Sequence, residues 1–356
     1  MAHVATITID HTKVPGDLTD YVGLIVPDGS AGYSALYALC LEGGGDIRLF
    51  KSDDTTELAR EIVTFSVSAE TGEIHYKYSG TLSSSVDTDI HVYADGSSSE
   101  PAATATYGSE AVWVDYKLVT HTGATDSSGN ETLTANGGIS AGDATGQIGA
   151  ATNYDGVGDY FKSSGINLNA TSATMQAWLR NSDISAEFRP WSVGETAAEG
   201  GSGQSQFGNI YSPQVNLSSN GIRGIASPIA STNRIITGYA SFAQDTTYML
   251  HQTFGSTTLR GYLNGSQVYS GSNASCVLPT GELFIYIGAR PDGNIIKSHY
   301  EGWLGEFRWT DDTLSVNWIT TEYNNQNSPS TFYSVAAVAG GSTSAQAARR
   351  GVIMMM

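Results

Sequence analysis

The chain has 356 residues, with 35 acidic against 17 basic side chains and a formal net charge of −18. A surface of that sign repels phosphate backbones and anionic lipid heads, which argues against nucleic-acid and membrane partners. Charged residues make up only 15%, glycine numbers 41 and Tyr (19) outnumbers Phe (10), the composition of a turn-rich all-β protein long enough for two domains.

No apolar run approaches the ~18–20 residues of a spanning helix. The start, MAHVATITIDHT, has neither a basic region nor an apolar core and does not read as a secretory signal. Cys40 and Cys276 stand far apart, one in each half of the chain, and are expected to be free, buried thiols. Asn-X-Ser/Thr triplets at Asn130, Asn169, Asn216, Asn264 and Asn273 are expected in a chain this rich in Ser and Thr.

Residues 4–10 alternate as a first strand, and Tyr21 to Val26 form an apolar second one. Gly43-Gly44-Gly45 feeds a strand from Asp46 to Phe50. Asp53-Asp54 turns the chain back through Leu58 to Phe65, and Thr71-Gly72 signals a hairpin into Ile74–Tyr78. Asp89–Tyr93 is the last strand before a small, polar, proline-bearing stretch at 97–108, read as a linker. Asp46, Asp53, Asp54, Glu57 and Glu61 crowd in sequence, yet strand alternation divides them between faces. Turn chemistry explains their presence, so they are read as structural.

Three blocks, Thr8 to Tyr21, Gly45 to Ile62 and Leu82 to Tyr93, occur in the order seen in a small β-sandwich domain of unknown function. Segment 1–96 resembles that domain, which is often found ahead of laminin-G-type domains in surface and phage proteins. The resemblance implies a fold and a neighbour, and no chemistry.

The second half opens with Ala111 to Val119, then Asp126-Ser-Ser-Gly-Asn130 and Gly146 to Phe161. Thr174 to Leu179 reads as a core strand. Tyr248 to Tyr269 contains Asn264-Gly265, the strongest hairpin turn of the chain. Leu283, Ile285 and Ile287 alternate with Phe284, Tyr286 and Gly288. In the following strand Trp303, Gly305, Phe307 and Trp309 are assigned one face, and Leu304, Glu306 and Arg308 the other. Asp311 and Asp312 are read as the acidic cap of a short closing helix carrying Leu314, Trp318, Ile319 and Tyr323. Trp178, Trp303, Trp309 and Trp318 are assigned to the core.

These motifs resemble the concanavalin A-like, laminin-G-type jelly roll over 109–335. The expected architecture is therefore all-β: an N-terminal β-sandwich (1–96), a linker (97–108), a jelly roll (109–335) and a low-complexity tail (336–356). The resemblance implies carbohydrate or protein binding and, in some members, a Ca²⁺ ion at the sheet edge. It departs from the family at Val119-Thr120-His121, where a Trp before the His is expected. The residues that fall in its motifs as Ca²⁺ candidates are Asp126, Asn130, Asp155, Asp159 and Glu306, and no continuous calcium loop supports them. Turn formation accounts for the Asp and Asn residues equally well.

Glycan contact calls for aromatic faces with polar groups at their edges. The long Gly-rich stretch 181–212 supplies Phe188, Arg189, Trp191 and Tyr211, though each aromatic there is read first as a core residue or loop anchor and only second as a ligand platform. Enzyme signatures are missing: Glu301 and Glu306 lack an intervening acid, their five-residue spacing predicts opposite strand faces, and the seven His are scattered. The tail ends in Arg349, Arg350, Val352, Ile353, Met354, Met355 and Met356. Basic then apolar, it suits insertion into a groove of a neighbouring, acidic copy.

The expected function is a phage virion surface protein, a tail- or head-attached fibre or decoration subunit. It would act as a homo-oligomer among other virion proteins and adhere to glycan or host surface, on the virion and outside the cell. The alternatives are a purely structural self-assembling subunit and, behind it, a glycan-cleaving enzyme.

Overall fold

The computed structural model describes residues 1–167, 172–183, 187–194, 211–216, 221–226, 235–255, 257–276, 282–292 and 295–338. It divides into two compact units: Met1–Val114 with Thr320–Met356, and Asp115–Ile319. Every pairing between described strands is antiparallel. Among the described residues, no helix is long and apolar enough to cross a membrane.

The first unit contains β1 (Ala2–Ile9), β2 (Leu18–Ile25), α1 (Ser34–Leu39), β3 (Arg48–Lys51), β4 (Glu57–Ser66), β5 (Thr71–Leu82), β6 (Thr88–Ala94) and α2 (Ser109–Val112). Its sheet runs β2-β5-β4-β3-β6-β1 and is completed by the C-terminal strand Tyr333–Ala337, which pairs with β1 from Ala5↔Ala337 to Ile9↔Tyr333. The sequence reading left this strand divided between the jelly roll and the tail.

The stretch read as a linker is fastened to this unit. Arg48 donates to the Ser99 carbonyl at 2.8 Å, and the buried Arg60 pairs with Glu100 at 2.6 Å. The Arg60 amide meets the Tyr107 carbonyl. Asp46, fully buried, receives the amides of Leu41, Asp95 and Gly96. The hairpin expected at Thr71-Gly72 turns instead at Val67–Glu70, with Glu70 at φ +51°. Gly72 lies within β5 opposite Phe65, where a Cβ would stand 2.8 Å from the Phe65 ring.

Strand β2 is an edge of this sheet. The outward N–H and C=O of Leu24 meet a side chain in place of a strand: Asn325 accepts from the amide at 2.7 Å and donates to the carbonyl at 2.9 Å. Asn325 and Leu24 are each 1% exposed. One carboxamide thus supplies the donor and the acceptor of a missing ladder rung.

The second unit is a concanavalin A-like jelly roll of two main sheets. Its elements are β7 (Tyr116–Thr120), β8 (Leu133–Asn136), β9 (Ala144–Thr145), β10 (Ala150–Asp155), β11 (Tyr160–Ser163), β12 (Ile166–Asn167) and β13 (Ser172–Asn181). They continue with β14 (Trp191–Gly194), β15 (Tyr211–Asn216), β16 (Gly221–Ala226), β17 (Ile235–Ile236), β18 (Ala240–Ser241) and β19 (Thr247–Gly255). Then follow β20 (Thr258–Leu263), β21 (Ser266–Ser272), β22 (Glu282–Ile287), β23 (Arg290–Asp292), β24 (Ile295–Lys297) and β25 (Glu301–Thr310); α3 (Val316–Asn327) starts in this unit, which ends at Ile319, and continues into the first. One sheet runs β21-β20-β19-β13-β25-β10-β9 with β7 beside β25; the other runs β17-β16-β15-β14-β22-β11-β8.

Between the sheets lie Met175, Leu179, Trp191, Val193, Leu250, Phe254, Leu283, Ile285, Ile287, Leu304, Phe307 and Trp309. Neither Cys40 nor Cys276 is in a disulfide, and both are buried, as expected. The Asn264-Gly265 turn has φ +51° and +78°, the two positive values of a type I′ hairpin.

Two expectations for the closing segment change. A bulge interrupts the β13–β25 register, and Glu306 sits there at φ +55°. The extra residue re-phases the strand, so Leu304 shares the core with Phe307 and Trp309. Trp303 and Trp318 are only half-buried, whereas Trp178 and Trp309 are buried as assigned. The cap of α3 is Ser315, whose hydroxyl accepts from Trp318 N at 3.2 Å; Asp311 instead pairs with Lys117 at 3.3 Å.

Candidate functional site

Asp126 takes the amides of Val119, Ser128, Asn130 and Glu131 at 2.8–2.9 Å, together with the Ser128 hydroxyl. Asn130 donates to the Tyr116 carbonyl at 3.0 Å. Asp155 accepts from the amides of Val157, Gly158 and Asp159, and Asp159 from that of Asp155. Each pair builds its own loop. Glu306 is buried between His121, at 2.5 Å, and Arg308, at 2.7 Å.

The structure therefore joins Asp126 to Asn130 and Asp155 to Asp159, and its hydrogen bonds gather no five-residue shell. Among the described residues, Asp126, Asp155 and Asp159 belong to no group of three converging His, Cys, Asp or Glu ligands. Asp126 accepts backbone amides through both oxygens, Asp155 three through one oxygen and Asp159 one, the bonding that loop-building Asp residues make. The bulge also overturns the parity that separated Glu301 from Glu306. With one residue added, both fall on the same side of β25, but the Glu306 carboxylate is already shared by His121 and Arg308.

The aromatic candidates turn inward. Phe188, Arg189 and Trp191 are buried, the two rings in the core cluster, so none presents a face to a sugar. The reason is strand parity: Trp191 and Val193 of β14 point between the sheets opposite Ile287 and Ile285 of β22. Arg189 pairs with Glu187 at 2.9 Å, and burial holds its guanidinium down to about 10. Glu187 also lies 3.8 Å from Arg290, which bonds Ser298 at 2.9 Å, so this group clamps two end loops. Tyr211 begins β15, and its side chain lies outside the described residues, as do Arg349, Arg350, Val352, Ile353 and Met354.

An aromatic surface forms on the outward face of the same sheet. Phe284 and Tyr286 of β22 alternate with the core residues Leu283, Ile285 and Ile287. On β11, Tyr160 and Lys162 alternate with Phe161 and Ser163, and Lys162 pairs with Tyr286 across the strands. The Lys162 ammonium stands 4.5 Å from the centre of the Phe284 ring and 5.8 Å from that of Tyr286. Tyr160 lies 6.1 Å from Tyr286 and 6.1 Å from His299. Tyr160, Lys162, Phe284 and His299 are half-buried, and Tyr286 beneath them is buried, at 3% exposure.

The 155–159 loop enters this surface directly. Its Val157 tip is 79% exposed. The Asp155 carboxyl is held down, first by the Val157 and Gly158 amides; that of Asp159 is pushed up by burial and by the charge of Asp155. The patch thus offers the half-buried rings of Tyr160 and Phe284, one ammonium and the exposed Asp155 carboxylate at its margin, a set suited to polyhydroxylated ligands with apolar patches. The alternation in Leu283–Ile287 was the sequence signal for it.

Residues 155–320 match the family described as the concanavalin A-like lectin/glucanases superfamily. No curated protein sequence matches the chain. Among solved structures, the chain is similar to the botulinum neurotoxin serotype D binding domain, at 15% identity and TM-score 0.45, covering 60% of this chain and 51% of that one. It is also similar to the serotype D ligand binding domain in complex with N-acetylneuraminic acid, at 16% identity and TM-score 0.44, covering 62% and 53%. A third is the neurotoxin DC binding domain in complex with SialylT, at 11% identity and TM-score 0.45, covering 60% and 52%. The chain spans about half the length of each.

Proposed function

We propose that the protein is a non-enzymatic adhesion subunit of a phage virion surface, and that its jelly roll binds glycan on the face that presents Tyr160 and Phe284. The observation that carries the binding reading is this outward aromatic row with Lys162 beside it, in a unit matched by a lectin and glucanase superfamily. A sugar stacks its apolar C–H face on such rings while hydroxyls meet the charged margin. Single sites of this kind are weak, and many copies on one particle raise adhesion by avidity. The virion setting rests on the resemblance of segment 1–96.

The test is glycan-array binding by the full chain, unmodified and as Tyr160→Ala and Phe284→Ala. We expect the bound glycans to be lost or weakened in both variants. An array with no ligand, or one bound equally by all three proteins, removes this surface as the site.

A self-assembling structural subunit is the second reading. Its specific support is that, among the described residues, Tyr333–Ala337 is the last strand of its sheet, and sheet edges invite another chain.

A further inference from the structure

The first unit carries a group of side chains that the adhesion reading does not use. Among the acidic residues of the β3–β4 hairpin, four are committed to structure. Asp46 binds backbone amides, Asp53 caps Thr55 and Thr56, Glu57 faces Arg48 and Glu61 accepts from the Trp113 indole. Asp54 differs. It sits at the hairpin tip at φ +59° and reaches across the sheet to His91, at 2.5 Å, and to the Tyr93 hydroxyl, at 2.8 Å.

His3 completes the group through a fault in strand register. In a regular strand His3 and Thr6, three residues apart, face opposite ways. A bulge between His3 and Ala5 turns both Val4 and Ala5 inward and returns His3 to the face of Thr6, His91 and Tyr93. The His3 ring then stacks on His91 with centroids 4.2 Å apart, and on Tyr93 at 5.1 Å. One ring nitrogen from each histidine and one Asp54 oxygen converge within 4.8 Å of one another. His91 and Asp54 are 15% and 51% exposed at their side chains, so solvent has access.

We propose that His3, His91 and Asp54 form a binding site for a divalent transition metal of the Zn²⁺ class. Two imidazoles and one carboxylate are a preferred donor set for such ions, and the exposed side leaves room for water at the remaining positions. Binding is ligand exchange: the aquo ion loses waters to the three side chains. The proton between His91 and Asp54 moves to the other ring nitrogen of His91 or to solvent. The pair must open from 2.5 Å toward the separation of two ligands on one ion, and the exposed hairpin tip carrying Asp54 can yield. The ion would tie together segments at residues 3, 54 and 91. A second group, Asp10, His11 and Asp87, also converges, but it has one histidine, and Asp10 already caps Thr12.

The experiment is calorimetric titration of the chelator-treated full chain, free of any histidine tag, with Zn²⁺ alone, supported by Co²⁺ absorption. We expect a saturable site that His3→Ala and His91→Ala each weaken about tenfold or more, while His11→Ala leaves it intact. Folding of each variant is checked by its metal-free melting curve, and His91→Gln replaces any variant that fails. Should neither histidine variant fold, a Zn²⁺-specific rise in the melting temperature of the unmodified chain, absent with Mg²⁺, supports the site. Absence of saturable binding, binding undiminished in folded His3→Ala and His91→Ala, or no Zn²⁺-specific rise overturns it.

Discussion

Replacing Asn325 with alanine tests how the edge strand β2 is closed. The carboxamide satisfies both the N–H and the C=O of Leu24, at 2.7 and 2.9 Å, in a place where neither residue is more than 1% exposed. Removing it leaves two buried backbone groups without partners. Each costs about 1–3 kcal/mol, so the limits are about 2–6 kcal/mol. Water entering the vacated space recovers part, and about 3 kcal/mol is expected. That corresponds to roughly a hundredfold change in the opening equilibrium. Hydrogen exchange by mass spectrometry on peptides covering 18–25 of the full chain reads this locally, without requiring the two units to unfold together. Acceleration by less than about threefold would refute the reasoning, because it would mean the Leu24 groups find other partners at no cost. Asn325→Asp should rank with the alanine variant or below it, since it keeps the acceptor, loses the donor and brings in a buried charge.

Gly288 holds φ +90°, and a Cβ there would stand 2.3 Å from the Tyr154 ring; Gly288→Ala should lower the melting temperature of the jelly roll, and an unchanged melting curve would remove that constraint. Asp159 has its carboxyl pushed up by burial and by Asp155, so its ionised form is penalised in the fold. The penalty acts above the raised folded value and vanishes below the ordinary carboxylate value near 4. Asp159→Asn should therefore raise the melting temperature at pH 7 and lose that advantage near pH 3. An advantage equal at both pH values contradicts the assignment.

What could be read in advance was what local rules control. Alternation located β22, the Asn264-Gly265 pair located its hairpin, and both cysteines fell inside. The failures share a cause: each depends on a partner distant in sequence. The bulge at Glu306 is visible only against β13, and it reversed the faces assigned to Leu304 and Glu306. The choice between core and ligand platform for Phe188 and Trp191 is settled only by the burial of both rings, which the pairing of β14 with β22 imposes on Trp191. The role of Asn325 requires knowing that β2 is an edge. In the same way His3 acquires His91 as a neighbour only through the β1–β6 bulge. The alternation of Phe284 and Tyr286 with the core residues of β22 was legible, because it is a property of one strand alone.

The strand Tyr333–Ala337 gives the chain a temporal order. The jelly roll, 115–319, is an insertion within the first unit, whose last strand and edge-closing Asn325 are made after it. On a ribosome adding about 5–20 residues per second, β1 waits on the order of tens of seconds for that strand. During that interval the jelly roll can fold alone, while the earlier unit keeps two unfinished edges. Completion of the first unit thus depends on synthesis having passed through the whole inserted domain. A chain cut short within the jelly roll leaves strand edges open to other chains, which is where a folding factor or a premature partner would act.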